Sequence, residues 1–213
     1  LKICRSQGHE GSSPSSGTIL KIMTTFFQNN LAYIIGAALG DGNLSNPNGR
    51  AVRLRISCDA KYPGIAQRIE DAIQVISPHN KVSRVHRKST TCFDISCYSN
   101  KWETYLGWTA QGGSKNIQQV SVPIWIKVDK EFSRHCLRGL IETDGSIYND
   151  RGYDMVNFVT ITKSLAEDVL QMINGAGFLP KIYLIKTSHQ PRYNIRISKS
   201  TREFIEYLDL KKD

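Results

Sequence analysis

Two segments of the chain depart from ordinary apolar and polar patterning in the same way. Residues 31–44, LAYIIGAALGDGNL, open with ten uncharged residues in which the small residues Ala32, Gly36 and Gly40 recur four apart before Asp41-Gly42. Residues 135–148, HCLRGLIETDGSIY, repeat the arrangement, with Gly139 and Thr143 before Asp144-Gly145, and the two aspartates lie 103 positions apart. Each segment reads as an apolar helix that stops at its Asp-Gly. The pattern after each Asp-Gly is duplicated as well. Residues 51–58 alternate, with Val52, Leu54, Ile56 and Cys58 on one face and Arg53, Arg55 and Ser57 on the other, predicting a half-buried strand. Ile65, Ile69, Ala72, Ile73 and Ile76 recur at helical spacing over residues 62–76, which end at Ser77-Pro78. Residues 81–88 and CFDISCY (92–98) supply two more strands, and a short helix at 102–106 closes the unit.

The second half runs the same course. Residues 146–148 and 155–161 read as strands and 164–173 as a helix stopped by Asn174-Gly175-Ala176-Gly177. Residues 181–186 and 192–198 read as a hairpin with Arg192, Asn194, Arg196 and Ser198 on one face. Both halves therefore predict αββαββα, an α+β fold of two pseudo-symmetric repeats, each with a four-stranded antiparallel sheet, meeting at a central helix pair. The expected organisation is a disordered leader over 1–23, a first repeat over 24–111, a linker over 112–128 and a second repeat over 129–213.

Gly inside a helix costs about 1 kcal/mol relative to Ala, so Gly36, Gly40 and Gly139 need a reason. Small residues four apart form a groove that admits a second helix backbone, and the natural partner of each copy is the other. An acid at a helix C-terminus faces the negative end of the macrodipole and loses roughly 0.3–1 kcal/mol. Two acids at one end of a helix pair also repel, and a divalent cation between or beside them removes both penalties.

A sheet packed by helices on one face leaves the other to solvent or a ligand. That outer face is dense in Arg, Lys, Asn, Ser and Tyr, of a kind whose strands enter the major groove of duplex DNA. The expected contacts are Arg50, Arg53, Arg55, Ser57, Lys81, Ser83 and Lys88 in the first half. In the second they are Tyr148, Lys181, Tyr183, Lys186, Arg192, Asn194, Arg196 and Ser198. Arg53, Arg55, Arg192 and Arg196 lead, since Arg serves both bases and phosphates. The charge agrees: 28 Lys and Arg against 19 Asp and Glu give +9, which favours an anionic partner.

With 213 residues and 40% hydrophobic composition, the chain suits one large or two small cores. No apolar segment approaches the roughly 20 residues that span a bilayer, and no signal core opens the chain. An intracellular protein is expected, in cytoplasm, nucleoid or organelle matrix, without a membrane partner. The five cysteines (Cys4, Cys58, Cys92, Cys97, Cys136) lack metal-site spacing and read as reduced thiols, mostly in strands. His79, His86, His135 and His189 share no spacing and suggest no catalytic base. In the leader, the genetic code allows Glu10-Gly11-Ser12-Ser13-Pro14-Ser15 to be written GAGGGTTCGAGTCCCTC, a stem and loop like the T-arm of a tRNA gene. One expectation is thus a reading frame that begins inside such a gene; the alternative is a plain Ser/Gly tail.

The paired motifs IIGAALGDG (34–42) and LRGLIETDG (137–145) resemble those of the LAGLIDADG homing endonuclease family in its single-chain, two-motif form, over about residues 29–213. The resemblance implies an intron-encoded, monomeric enzyme that cuts both strands of a long DNA site with a divalent cation, Mg2+ in catalysis and Mn2+ or Ca2+ able to substitute in binding. It implies Asp41 and Asp144 as metal ligands, completed by the backbone carbonyls of Gly40 and Thr143. Lys115 matches the basic residue near the scissile phosphate, and Lys211 is the expected counterpart. There are departures: Glu142, two residues before Asp144, has Leu39 as its equivalent, and relatives often continue into a further helix beyond the position of Asp213. The alternative is a non-cleaving module of the same fold, an intron RNA maturase or a DNA-binding regulator, whose signature would be loss of an acidic motif end. An intein-borne enzyme is disfavoured by the terminal residues. If the leader is tRNA-derived, the target lies in or near a tRNA gene.

Overall fold

In the computed structural model, which describes residues 16–86, 91–187 and 190–211, both halves take up the repeated pattern. The first runs α1 (Ser16–Asp41), β1 (Gly42–Ser45), β2 (Arg53–Asp59), α2 (Pro63–Ile76), β3 (Val82–His86), β4 (Cys92–Tyr98) and α3 (Trp102–Leu106). A short helix, α4 (Ile124–Lys127), lies in the connecting segment. The second half runs α5 (Lys130–Asp144), β5 (Gly145–Asp150), β6 (Tyr153–Thr160), α6 (Lys163–Gly175), β7 (Lys181–Ile185), β8 (Arg192–Ile197) and α7 (Thr201–Leu208). The two antiparallel sheets have equivalent strand orders, β1-β2-β4-β3 and β5-β6-β8-β7. The α+β class and its duplication are as the apolar periodicities predict.

Inside each half, the inward positions of the central strands meet one amphipathic helix. Leu54, Ile56, Ile95 and Cys97 are buried with Ile65, Ile69 and Ile73 of α2; Val156, Phe158, Ile195 and Ile197 are buried with Leu165, Val169 and Ile173 of α6. Burying one such side chain contributes about 1.5–3 kcal/mol, so these two layers fix the sheets' register. Between the halves, α1 and α5 pack backbone against backbone. A Cβ at Gly36 would fall on the carbonyl oxygen of Cys136, and one at Gly139 on that of Tyr33. These contacts exchange under the same 103-residue offset that relates the motifs, as pseudo-twofold symmetry requires.

Two boundaries differ from the sequence reading, the start of α1 and the extents of β5 and β6. Helix α1 begins at Ser16, so residues 16–23, expected to be disordered, are helical; residues 1–15 lie outside the described residues. The Ser/Gly-rich composition ends at Gly17, after which nothing breaks a helix, and Thr24 and Thr25 donate to the carbonyls of Leu20 and Lys21. Strand β4 buries Asp94 and Ser96 along with its apolar face, because neighbouring strands flank it on both sides. Strands β5 and β6 are longer than expected and meet at Arg151-Gly152, where both residues have positive φ, 53° and 88°. That backbone suits a two-residue hairpin, and Asn149 Oδ1 supports it by accepting from Gly152 N at 2.9 Å. Of the cysteines, Cys58, Cys92 and Cys97 lie in strands and Cys136 in α5, all free thiols. Among the described residues no helix is long and apolar enough to cross a membrane.

Candidate nucleic-acid interface and metal centre

The last residues of α1 and α5 are Asp41 and Asp144, and neither helix carries a basic residue in its last turn. A Cβ at Gly40 would press on Thr143 Oγ1 and lie 3.1 Å from Asp144 Cβ, so the two helices end side by side. Both carboxylates are exposed. Two cavities open around them. One is lined by Leu39, Gly40, Lys115, Asp144, Thr160 and Arg192 among others; the second by Asp41, Ser57, Cys58, Asp59, Glu142 and Thr143 among others. Each thus joins the aspartate of one helix to the residue before the aspartate of the other.

Lys115 reaches the first cavity from the connecting segment. A turn holds it there: Gln118 N donates to Ser114 O at 3.1 Å and Val120 N to Lys115 O at 3.1 Å. The segment is then tied to α6, where Asp168 accepts from Val122 N at 2.7 Å and Lys127 Nζ at 2.5 Å. The Lys115 ammonium donates to the carbonyls of Ala38 at 3.2 Å, Leu39 at 2.8 Å and Gly40. These are among the carbonyls that a helix C-terminus leaves without partners. Burial lowers the Lys115 pKa, while the charges of Asp144 and Asp41 act the other way.

Lys211 does not join Asp41. Its carbonyl accepts from Arg68 Nη2 at 2.7 Å and its ammonium lies 3.5 Å from Asp209, outside the residues lining the second cavity. Arg68 draws that terminal segment towards Glu142, the residue whose importance the sequence reading missed. The Glu142 side chain is fully buried and accepts from Tyr33 Oη at 2.7 Å, Arg68 Nη2 at 3.0 Å and Arg138 Nε at 3.0 Å. Arg138 also pairs with Asp209 at 3.0 Å. Burial, and then the Glu142 charge, raise the Tyr33 pKa well above its ordinary value. This cluster joins α1, α2, α5 and the segment after α7. Arg138, four residues before Glu142, was a visible partner; Tyr33 and Arg68 are too distant in sequence. Glu142→Gln removes the charge and leaves two guanidiniums with a weaker acceptor, at an expected cost of about 2 kcal/mol or more. Thermal denaturation should show the midpoint falling by about 4–8 °C.

The outer sheet faces hold most of the expected contact residues. Across the first sheet, Asn43, Arg55, Ser96 and Ser83 fall in one row; across the second, Ser146, Asn157, Arg196 and Lys181 do. Arg55 donates to Asn43 Oδ1 at 2.9 Å and lies 3.9 Å from Asp94, which accepts from Ser57 Oγ at 3.0 Å. Arg53 lies over the Tyr98 ring at 5.8 Å, and Arg196 pairs with Asp150 at 3.1 Å. Tyr183 pairs with Asn194, and Arg192 with Ile185. Tyr148 of β5 is exposed. Arg50 and Lys81 are exposed beside β2 and β3; Lys186 and Ser198 follow β7 and β8. Lys88 lies outside the described residues. Arg55 Nε, Arg196 Nε, Asn157 Oδ1 and Asn194 Oδ1 are buried without a hydrogen-bond partner, a concentration of unmatched polar atoms on these faces.

A family model described as LAGLIDADG-like domain matches residues 131–209. Comparison with curated protein sequences finds no match. Among solved structures, mesophilic variants of the homing endonuclease I-DmoI superpose with a TM-score of 0.65 at 19% identity, over 88% of this chain and 99% of that one. I-DmoI in complex with DNA and Mn gives 0.64 at 20% identity, over 85% and 97%. The N-terminal LAGLIDADG domain of DUF199/WhiA gives 0.59 at 14% identity, over 90% and 92%. Likeness at these identities establishes a common fold.

Proposed function

We propose that the chain is a LAGLIDADG homing endonuclease in the single-chain, two-motif form, a site-specific endonuclease of double-stranded DNA that is intracellular, intron-encoded and acts as a monomer with Mg2+; the family-model match over residues 131–209 and the fold shared with I-DmoI support this reading. The observation that carries this reading is the pairing of each motif aspartate with the end of the other motif helix, in two cavities that each border one of the sheets.

The donor set suits a hard cation. The end of α1 already holds a positive charge, the Lys115 ammonium, on carbonyls that include Gly40's. No cluster of three or more His, Cys, Asp or Glu forms a closed cage among the described residues. One motif carboxylate and one helix-end carbonyl per cavity leave coordination positions for water and phosphate, the arrangement Mg2+ favours. Asp144 with the Gly40 carbonyl, and Asp41 with the Thr143 carbonyl, would hold the ions. Bound there, a divalent ion supplies acidification of a water and neutralisation of phosphate charge. Lys115 and Arg192, in the first cavity, would carry positive charge to the phosphate as it becomes more negative. I-DmoI structures described as complexes with DNA and Mn, and with DNA and Ca, support the use of a divalent ion by this fold.

The sheet faces would supply specificity. Arg55 and Arg196, oriented by carboxylates on their own faces, are the base readers; replacing either by Ala should relax preference at one base pair by about 1–3 kcal/mol. Arg192, beside Asp144, is a phosphate contact, and Arg192→Ala should weaken all duplexes alike and reduce the salt slope by about one. Binding titrations at several salt concentrations on one duplex and its single-base variants separate these outcomes. Exposure of a randomised plasmid library to the protein in Mg2+ tests the function itself. Cleavage at one recurrent sequence supports it; selective binding to structured RNA with all plasmids intact points to the maturase alternative.

A further inference from the structure

The two cavities match in backbone but not in charge. Beside Asp144 stand Lys115 and Arg192; beside Asp41 stands Asp59, and no cationic side chain is among the described residues lining that cavity. Glu142 also lines it, but its charge is compensated by Arg68 and Arg138. The difference extends to the ligand atoms. The Gly40 carbonyl, which the Asp144 cavity offers to a metal, is taken by the Lys115 ammonium. We propose that Lys115 is a tethered cation that keeps divalent metal out of the Asp144 cavity of the free protein, so that the Asp41 cavity loads first and the Asp144 cavity loads only with DNA. This rests on the metal-site reading above.

An ammonium on three carbonyls competes for the oxygen that a hard cation needs, and its charge opposes the entry of a second cation. Because the turn at residues 114–120 fixes the Lys115 backbone, the competition acts at a high effective concentration. A phosphate entering the cavity gives the ammonium a stronger, charged acceptor. Once Lys115 turns to that phosphate, the Gly40 carbonyl is released to the metal. Metal loading at this cavity is thereby made conditional on substrate, while Asp59 raises the cation affinity of the other.

Mn2+ titration of the full-length protein without DNA, followed by electron paramagnetic resonance, tests the proposal. The wild type should show one tight site, lost in Asp41→Asn and retained in Asp144→Asn. Asp59→Asn should weaken it roughly tenfold. Lys115→Met should add a second site, removed again by Asp144→Asn in that background. Circular dichroism establishes that each variant is folded, and if Lys115→Met is not, the contrast between the two aspartate variants decides alone. A tight site lost in Asp144→Asn, or two equal sites in the wild type, overturns the loading order while leaving the metal-site reading standing. Mn2+ binding unchanged by both aspartate substitutions overturns the metal-site reading and the inference with it.

Discussion

Asp41→Asn combined with Asp144→Asn should leave the protein folded and bound to its duplex while lowering cleavage roughly a thousandfold or more. Asn keeps the size of Asp and removes its charge, so the helix ends and the sheet faces proposed to contact DNA are undisturbed. What disappears is the anionic ligand in each cavity. Stability should not fall, because an acid at a helix C-terminus opposes the macrodipole by about 0.3–1 kcal/mol and Asn does not. Loss of function without loss of stability distinguishes a ligand from a packing residue. Cleavage of a site-bearing plasmid, gel-shift binding in Ca2+ and a thermal melt, run on the same preparations, read all three quantities.

Gly139→Ala should lose stability as well as cleavage. The added methyl falls on the carbonyl oxygen of Tyr33, with Ala37 N beside it, and both are backbone of the facing helix. Backbone cannot rotate aside as a side chain does, so α1 and α5 must separate. Ala gains about 1 kcal/mol in intrinsic helix propensity. Overpacking at a backbone contact costs about 3 kcal/mol, which exceeds that gain. The net loss of about 2 kcal/mol should lower the melting midpoint by about 4–8 °C. Gly36→Ala meets the Cys136 carbonyl in the symmetry-related contact and should behave alike. Both variants should also lose cleavage, since the separation spreads Asp41 and Asp144. A melt of each variant beside the wild type measures the effect; an unchanged or raised midpoint would mean that the helices do not approach so closely.

Much of this architecture was legible because the sequence states it twice. Period-two alternation over residues 51–58 and helical spacing over 62–76 each have a counterpart about a hundred residues later, so agreement between halves resolved segments that alone would be ambiguous. The small residues of the motifs identified the helix pair, and Asp41 and Asp144 marked its end. Less legible was anything made by contact between distant, non-equivalent residues. Glu142 has no acidic partner in the first motif, where Leu39 stands, and the hydroxyl and one of the guanidiniums that bury it come from other helices. Lys211 resembled a second Lys115 by sequence position alone; Arg68 and Asp209 hold it elsewhere. The start of α1 was misplaced because Ser and Gly before residue 18 dominated the composition, while the residues after them had no break to end a helix.

Strand-resolved mapping of the products formed from a selected duplex in Mg2+ tests the central claim most directly. Two cavities, each with one motif aspartate, should break each strand once at a fixed position, with both breaks absent when Asp41 and Asp144 are Asn. A duplex held at full occupancy yet intact on both strands, in Mg2+ and in Mn2+ alike, would contradict it.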